Sequence, residues 1–159
     1  MKNIKVLAAT LLFILSADYF AQDKNFGAGI MLGEPAGFSG KYWLNETESI
    51  NFGIGAALFK TNKSFSLHVD LIQNLCGLFE SPYTNQFYYG FGLRLHMNSK
   101  NRGGVGVRGV GGLSMFLDKL PVDLFAELAP VFTLLPDTSL EFDLSLGGRY
   151  YFDKFPIEF

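Results

Sequence analysis

The chain holds two histidines, and one of them lies in an alternating run with a hydroxyl and a carboxylate: Ser66, His68 and Asp70. Those three groups are the parts of a nucleophilic relay, which needs each member within hydrogen-bond reach of the next. Along a strand, residues i, i+2 and i+4 spread over ~13 Å at ~3.3 Å per residue. The spacing therefore argues against a relay, and the chain is read as non-catalytic. His96 stands in a second alternating run. Both histidines read as members of a polar network.

Three other patterns carry less. Gly103-Gly104-Val105-Gly106 and Gly109-Val110-Gly111-Gly112 have the look of phosphate loops, but no helix follows to offer its N-terminal amides. The one cysteine, Cys76, excludes a disulfide framework within the chain and any multi-cysteine metal cluster. It is placed with Leu75, Leu78 and Phe79 in a connection from Gln73 to Asn85, expected to pack on a rim or a membrane surface. Asn45-Glu46-Thr47 fits a glycosylation sequon but is read as a tight turn. No cofactor and no metal centre is implied. A formal net charge of −2 makes no electrostatic case for nucleic acid.

The elements that carry these residues have a period of two. Ile50, Phe52, Ile54, Ala56 and Leu58 alternate with Asn51, Gly53, Gly55 and Ala57. Phe87, Tyr89, Phe91, Leu93 and Leu95 alternate with Tyr88, Gly90, Gly92, Arg94 and His96. Turn signals separate such runs, among them Gly33-Glu34-Pro35-Ala36-Gly37 and Pro136-Asp137-Thr138. Eight strands result, at about 25–33, 37–45, 49–59, 64–73, 85–97, 104–117, 121–134 and 139–153. Short links in sequence predict an all-β, antiparallel up-and-down barrel. An even number of ~10-residue strands suits a transmembrane one. Pro130, inside the seventh strand, predicts a bulge, because a closed ladder has no free edge for it.

The two faces of these strands decide the environment. One parity is apolar in every strand and free of charge. The other carries Lys41, His68, Asp70, Arg94, His96, Arg108, Asp123, Glu127, Glu141, Asp143 and Arg149, set among glycine, serine and alanine. An eight-stranded barrel is just wide enough inside for side chains to fill it. It cannot hold all the Phe, Leu, Ile and Tyr of the apolar parity. That face is expected to meet lipid, with the charges inside. The interior then holds four cations (Lys41, Arg94, Arg108, Arg149) and five carboxylates (Asp70, Asp123, Glu127, Glu141, Asp143). Isolated buried charges cost several kcal/mol each, so near-balance predicts a paired plug of side chains, not an open pore.

The N-terminus has two lysines in Met1 to Lys5, an apolar run from Val6 to Leu15, then Ser16, Ala17 and Ala21. These are the parts of a secretory signal peptide, and ten residues are too few to span a bilayer. The chain divides into a cleaved leader (1–22), a barrel (23–152) and a short tail (153–159). Near the end, Ser145-Leu146-Gly147-Gly148-Arg149-Tyr150-Tyr151-Phe152 reads polar-x-Gly-x-x-aromatic-x-aromatic. It resembles the last-strand signal read by the outer-membrane insertion machinery, carried here by Gly147, Tyr150 and Phe152. Aromatic rings are favoured at a membrane interface. The tail repeats an earlier segment in kind: Tyr151 to Phe159 follows the pattern of Phe116 to Leu124.

With Gly33-Glu34-Pro35-Ala36-Gly37-Phe38-Ser39-Gly40-Lys41-Tyr42-Trp43-Leu44, Leu128-Ala129-Pro130-Val131 and Arg149-Tyr150-Tyr151-Phe152, the chain resembles small eight-stranded outer-membrane barrels of the OmpX and OmpA-transmembrane type. The likeness is strongest to a short-loop bacterial family with no settled activity. It implies outer-membrane lipid as surroundings, with the insertion machinery and periplasmic chaperones as partners. A small surface partner stays open. Two other readings stand beside it: a lipid A-modifying membrane enzyme, and a soluble periplasmic barrel that carries a lipid. Only 18% of the residues are charged, against ~25% in most soluble domains. Hydrophobic residues make up 48% and glycine accounts for 18 positions. The membrane reading accounts for that imbalance.

Overall fold

The computed structural model describes residues 26–57, 64–76, 84–98, 103–117 and 120–152. The predicted leader and tail lie outside these residues. Eight strands form: β1 (Phe26–Gly33), β2 (Ala36–Trp43), β3 (Glu48–Ala56), β4 (Ser64–Cys76), β5 (Thr84–Asn98), β6 (Gly103–Phe116), β7 (Val122–Leu135) and β8 (Ser139–Tyr151). Each pairs antiparallel with its sequence neighbours, and β1 pairs with β8. The fold is an all-β, closed, up-and-down barrel.

Alternation places the side chains as the sequence implies. In β6 the burial alternates without a break from Gly104 to Phe116, and in β3 from Ser49 to Gly55. Register then carries the alternation from strand to strand. Asn51 faces Asp70, Asp70 faces Gly92, and Gly92 faces Arg108, so one inward row crosses four strands. The outward residues stay exposed, such as Phe38 at 70% and Phe91 at 66%. The inward charged residues are closed off, with Lys41, Asp70, Arg108 and Asp123 at 0%.

The turns follow local chemistry. β1 ends at Gly33, whose φ of 128° is a conformation that L side chains rarely adopt. Between β2 and β3 the Asn45 side-chain oxygen accepts from the Thr47 and Glu48 amides at 2.9 and 2.8 Å, an Asx turn. The Asn45-Glu46-Thr47 stretch is thus a tight turn.

Three details depart from the sequence reading. First, the connection expected from Gln73 to Asn85 is shorter, because β4 runs on to Cys76 and β5 starts at Thr84. Cys76 pairs with Gln86 and belongs to the ladder. Apolar residues at both parities hide a strand that is covered on its inner face, so periodicity breaks off there too early. Second, β7 has no bulge at Pro130, which sits opposite Phe142 in an unbroken β7–β8 register. The register shift falls at the far end of β7, where Val105 faces Leu135 and Gly106 faces Thr133, leaving Leu134 extra. The β6–β7 ladder resumes in register on either side of Pro130, from Arg108–Val131 to Gly111–Leu128. The missing amide is absorbed without inserting a residue. Third, β3 begins at Glu48, so one charge stands on the outward parity. It lies at the strand's first residue and is tied to the turn by Asn45 Nδ2 at 2.7 Å.

The barrel interior is also less uniformly polar than expected. Ile72, Tyr88, Val110 and Ala129 form a buried apolar cluster inside it. Trp43, Phe116 and Tyr151 form a second one.

Candidate functional site

The inner wall is built from inward residues of β4 to β8, and their side chains meet across the bore. Arg108 on β6 stands at the centre. Its Nε lies 3.2 Å from Asp70 Oδ2 on β4, and its Nη1 donates to Asp143 Oδ2 on β8 at 3.2 Å. Its Nη2 pairs with Glu127 Oε1 on β7. Arg94 on β5 extends the cluster, donating to Asp143 Oδ1 at 3.0 Å and to Glu141 Oε2 at 3.5 Å. The Tyr88 hydroxyl donates to Glu127 Oε2 at 3.0 Å. Six of the nine charged residues expected in the interior therefore form one connected cluster.

The other three sit apart from it. Arg149 on β8 donates from Nε to Asp123 Oδ1 at 3.1 Å, with Nη2 3.0 Å from Oδ2. The same guanidinium lies 4.2 Å over the Phe125 ring, and the Tyr151 hydroxyl donates to Asp123 at 3.2 Å. Lys41 on β2 donates to Asn74 Oδ1 at 2.8 Å and to Gln86 Oε1 at 3.5 Å. Its ammonium lies 4.0 Å over the Trp43 ring and 5.5 Å over that of Tyr88, where the ring quadrupoles attract a cation.

Inward glycines open the room that these groups occupy. A side-chain carbon at Gly92 would collide with the Asp70 carboxylate, at Gly53 with the His68 imidazole, and at Gly112 with the Tyr88 ring. Gly53 faces His68 and Gly92 faces Asp70 in the register, so each bulky group lies opposite a residue without one. The glycine count belongs in part to this packing, and it serves rings as well as charges.

Ser66, His68 and Asp70 all point inward and are buried. His68 Nε2 lies 4.0 Å from Asp70 Oδ2, beyond hydrogen-bond distance. Among the described residues Ser66 Oγ and His68 Nδ1 have no hydrogen-bond partner. The three do not form a hydrogen-bonded relay. His68, Asp70 and Glu127 do come together, with potential ligand atoms all within 4.8 Å of one another. Glu127 is distant in sequence, so no spacing rule finds this set. Asn51, Asn74, Gln86 and Tyr88 are further interior polar groups that a charge count passes over. Their inward parity is the signal that finds them.

Comparison with family models, with curated proteins and with solved structures found no match.

Of the three residues of the C-terminal pattern, Tyr150 and Phe152 lie on the outer face and pack edge to face at 5.6 Å. Phe26 stacks on Phe152 at 6.3 Å and on Phe52 at 6.0 Å, which extends an aromatic patch from the C-terminal strand end to β3. Gly147 points inward instead, where a side-chain carbon would strike the Phe125 ring that supports Arg149.

Proposed function

We propose that the chain is an integral outer-membrane β-barrel with a non-catalytic role in the envelope or at the cell surface, its bore plugged by side chains. One observation carries this reading. The outward parity of all eight strands is predominantly apolar, with the neutral Gln73 and Asn85 toward one end of β4 and β5, and among the described residues its only charge is Glu48 at a strand end. In water, such a closed apolar surface would far exceed the few hundred Å² tolerated on a soluble monomer. In lipid it is the required surface, and a closed ladder leaves no edge amide unsatisfied. The outward aromatic patch of Phe26, Phe52, Tyr150 and Phe152 suits an interfacial girdle. The leader pattern and the resemblance to OmpX-type barrels point the same way.

The interior bears on the two rival readings. A soluble lipid carrier needs an apolar cavity, whereas this bore is crossed by ion pairs from Arg94 and Arg108. A lipid-modifying enzyme needs a site open to the membrane, whereas both histidines face inward, with His68 4% exposed.

The test is extraction and gel mobility. The protein is expected to stay with membranes in carbonate, to dissolve only in detergent, and to migrate faster unheated than boiled. Release into carbonate without detergent would overturn the membrane reading. An altered lipid A mass profile that reverts in the His68→Ala, His96→Ala double variant would establish the enzyme reading instead. Steady single-channel conductance in planar bilayers would refute the plug.

A further inference from the structure

The ion-pair cluster is unevenly served. Asp70 and Glu127 both rely on Arg108, which also meets Asp143. Among the described residues no second lysine or arginine comes within ion-pair distance of Asp70 or Glu127. Two buried carboxylates with a share of one guanidinium leave surplus negative charge in a closed interior, where it is costly. His68 stands beside them with Nε2 4.0 Å from Asp70 Oδ2.

Several buried polar atoms around them lack partners. Asn51 is 4% exposed, faces Asp70 in the register, and has no hydrogen-bond partner at either side-chain atom. His68 Nδ1 and Asp70 Oδ1 likewise have none. Buried polar atoms without partners are few in folded proteins, and a cluster of them asks for an explanation such as an ion. The residues that carry them, Asn51 on β3 and His68 and Asp70 on β4, are neighbours in the β3–β4 ladder.

We propose that His68, Asp70 and Glu127, with the Asn51 carbonyl oxygen beside them, bind one divalent transition-metal ion inside the barrel. One imidazole nitrogen and two carboxylates are a donor set suited to Zn2+ or Cu2+. Two ligands at ~2.1 Å from one ion stand at most ~4.2 Å apart. His68 Nε2 and Asp70 Oδ2 lie 4.0 Å apart, and the set as a whole, with ligand atoms within 4.8 Å of one another, has to draw in slightly around the ion. Asp70 can bridge, its Oδ2 shared between the ion and the Arg108 guanidinium. The ion would offset the surplus charge and occupy the free lone pairs of Asn51 and Asp70. Gly53 and Gly92, facing His68 and Asp70, keep the space open for both side chains. The inference concerns the bore and holds whether or not the outer face meets lipid.

The test uses the untagged barrel folded in non-ionic detergent, stripped with a chelator, dialysed against Zn2+ and assayed for bound metal. One Zn2+ per barrel is expected. His68→Asn and Asp70→Asn should each weaken binding about tenfold or more. His96→Asn should leave it unchanged. Far-UV circular dichroism checks that each variant folds. In the His96→Asn background His68 is the only histidine left. Cu2+ bound there should show the electron spin-echo modulation of a single imidazole, a signature that purely structural groups do not give. Absence of stoichiometric Zn2+, undiminished binding by folded His68→Asn, or Cu2+ without the imidazole signature would each overturn the site.

Discussion

Arg108 and Arg149 are both fully buried guanidiniums inside one barrel, yet they are held in different ways. Arg108 is surrounded by three carboxylates from three strands. Arg149 has Asp123 on the neighbouring strand, the Phe125 ring against its face, and a tyrosine hydroxyl sharing the same carboxylate. The first arrangement has anionic charge to spare and ties β4, β6, β7 and β8 together across the bore. The second is a neutral, local pair between β7 and β8, closed by aromatic rings. Burial of charge alone therefore does not define a site. The surplus around Arg108 is what leaves room for a cation, and the balance around Arg149 is what makes it part of the packing.

The contrast can be broken by substitution. Arg108→Met should have the largest effect, because it leaves three buried carboxylates facing one another. A loss of at least ~3–5 kcal/mol is expected, read as the lowest urea midpoint for the folded gel band or as failure to fold. Arg149→Met orphans one carboxylate, still held by Tyr151, and should cost about 3 kcal/mol in the same assay. Equal losses for the two would contradict the difference drawn here. Arg149→Lys keeps the charge but gives up the paired nitrogens on Asp123 and the stacking on Phe125, and about 1–2 kcal/mol should follow. Gly147→Ala presses on the Ile30 carbonyl oxygen as well as on the Phe125 ring, and should cost about 1 kcal/mol or more, because the backbone has to shift with the ring. The smallest effect should come from salt. Both clusters are closed to solvent, so the wild-type midpoint should move little between ~0.01 and ~1 M ionic strength. A marked fall would mean that these pairs are solvated.

Much of the barrel was legible because strand periodicity is local. Parity alone separates Phe38, Leu93 and Phe142 from Lys41, Arg94 and Asp143, and it does so without knowledge of any neighbour. Reading the ends was harder. Cys76 looked like part of a loop because Leu75 and its neighbours offer no alternation, although its backbone pairs with Gln86. Pro130 implied a bulge by its chemistry. The ladder instead shifted at Leu134, near the strand end, where an added residue displaces fewer partners.

The charged interior divides along the same line. Which side chains turn inward, and that their charges nearly cancel, follows from composition and a period of two. Which carboxylate meets which cation does not, because the partners are set by strand stagger and by the width of the bore. Arg108 and Asp70 are 38 positions apart and two strands away from each other, yet lie 3.2 Å apart. Asp70 and Glu127 share that guanidinium because the strand order sets β4 and β7 on opposite sides of β6 and the curvature of the barrel turns all three side chains into one bore. Sequence by itself thus determined the barrel, its two faces and the sign of each. Tertiary structure decided the pairing, and with it the place, among the described residues, where carboxylates outnumber their cation beside a histidine.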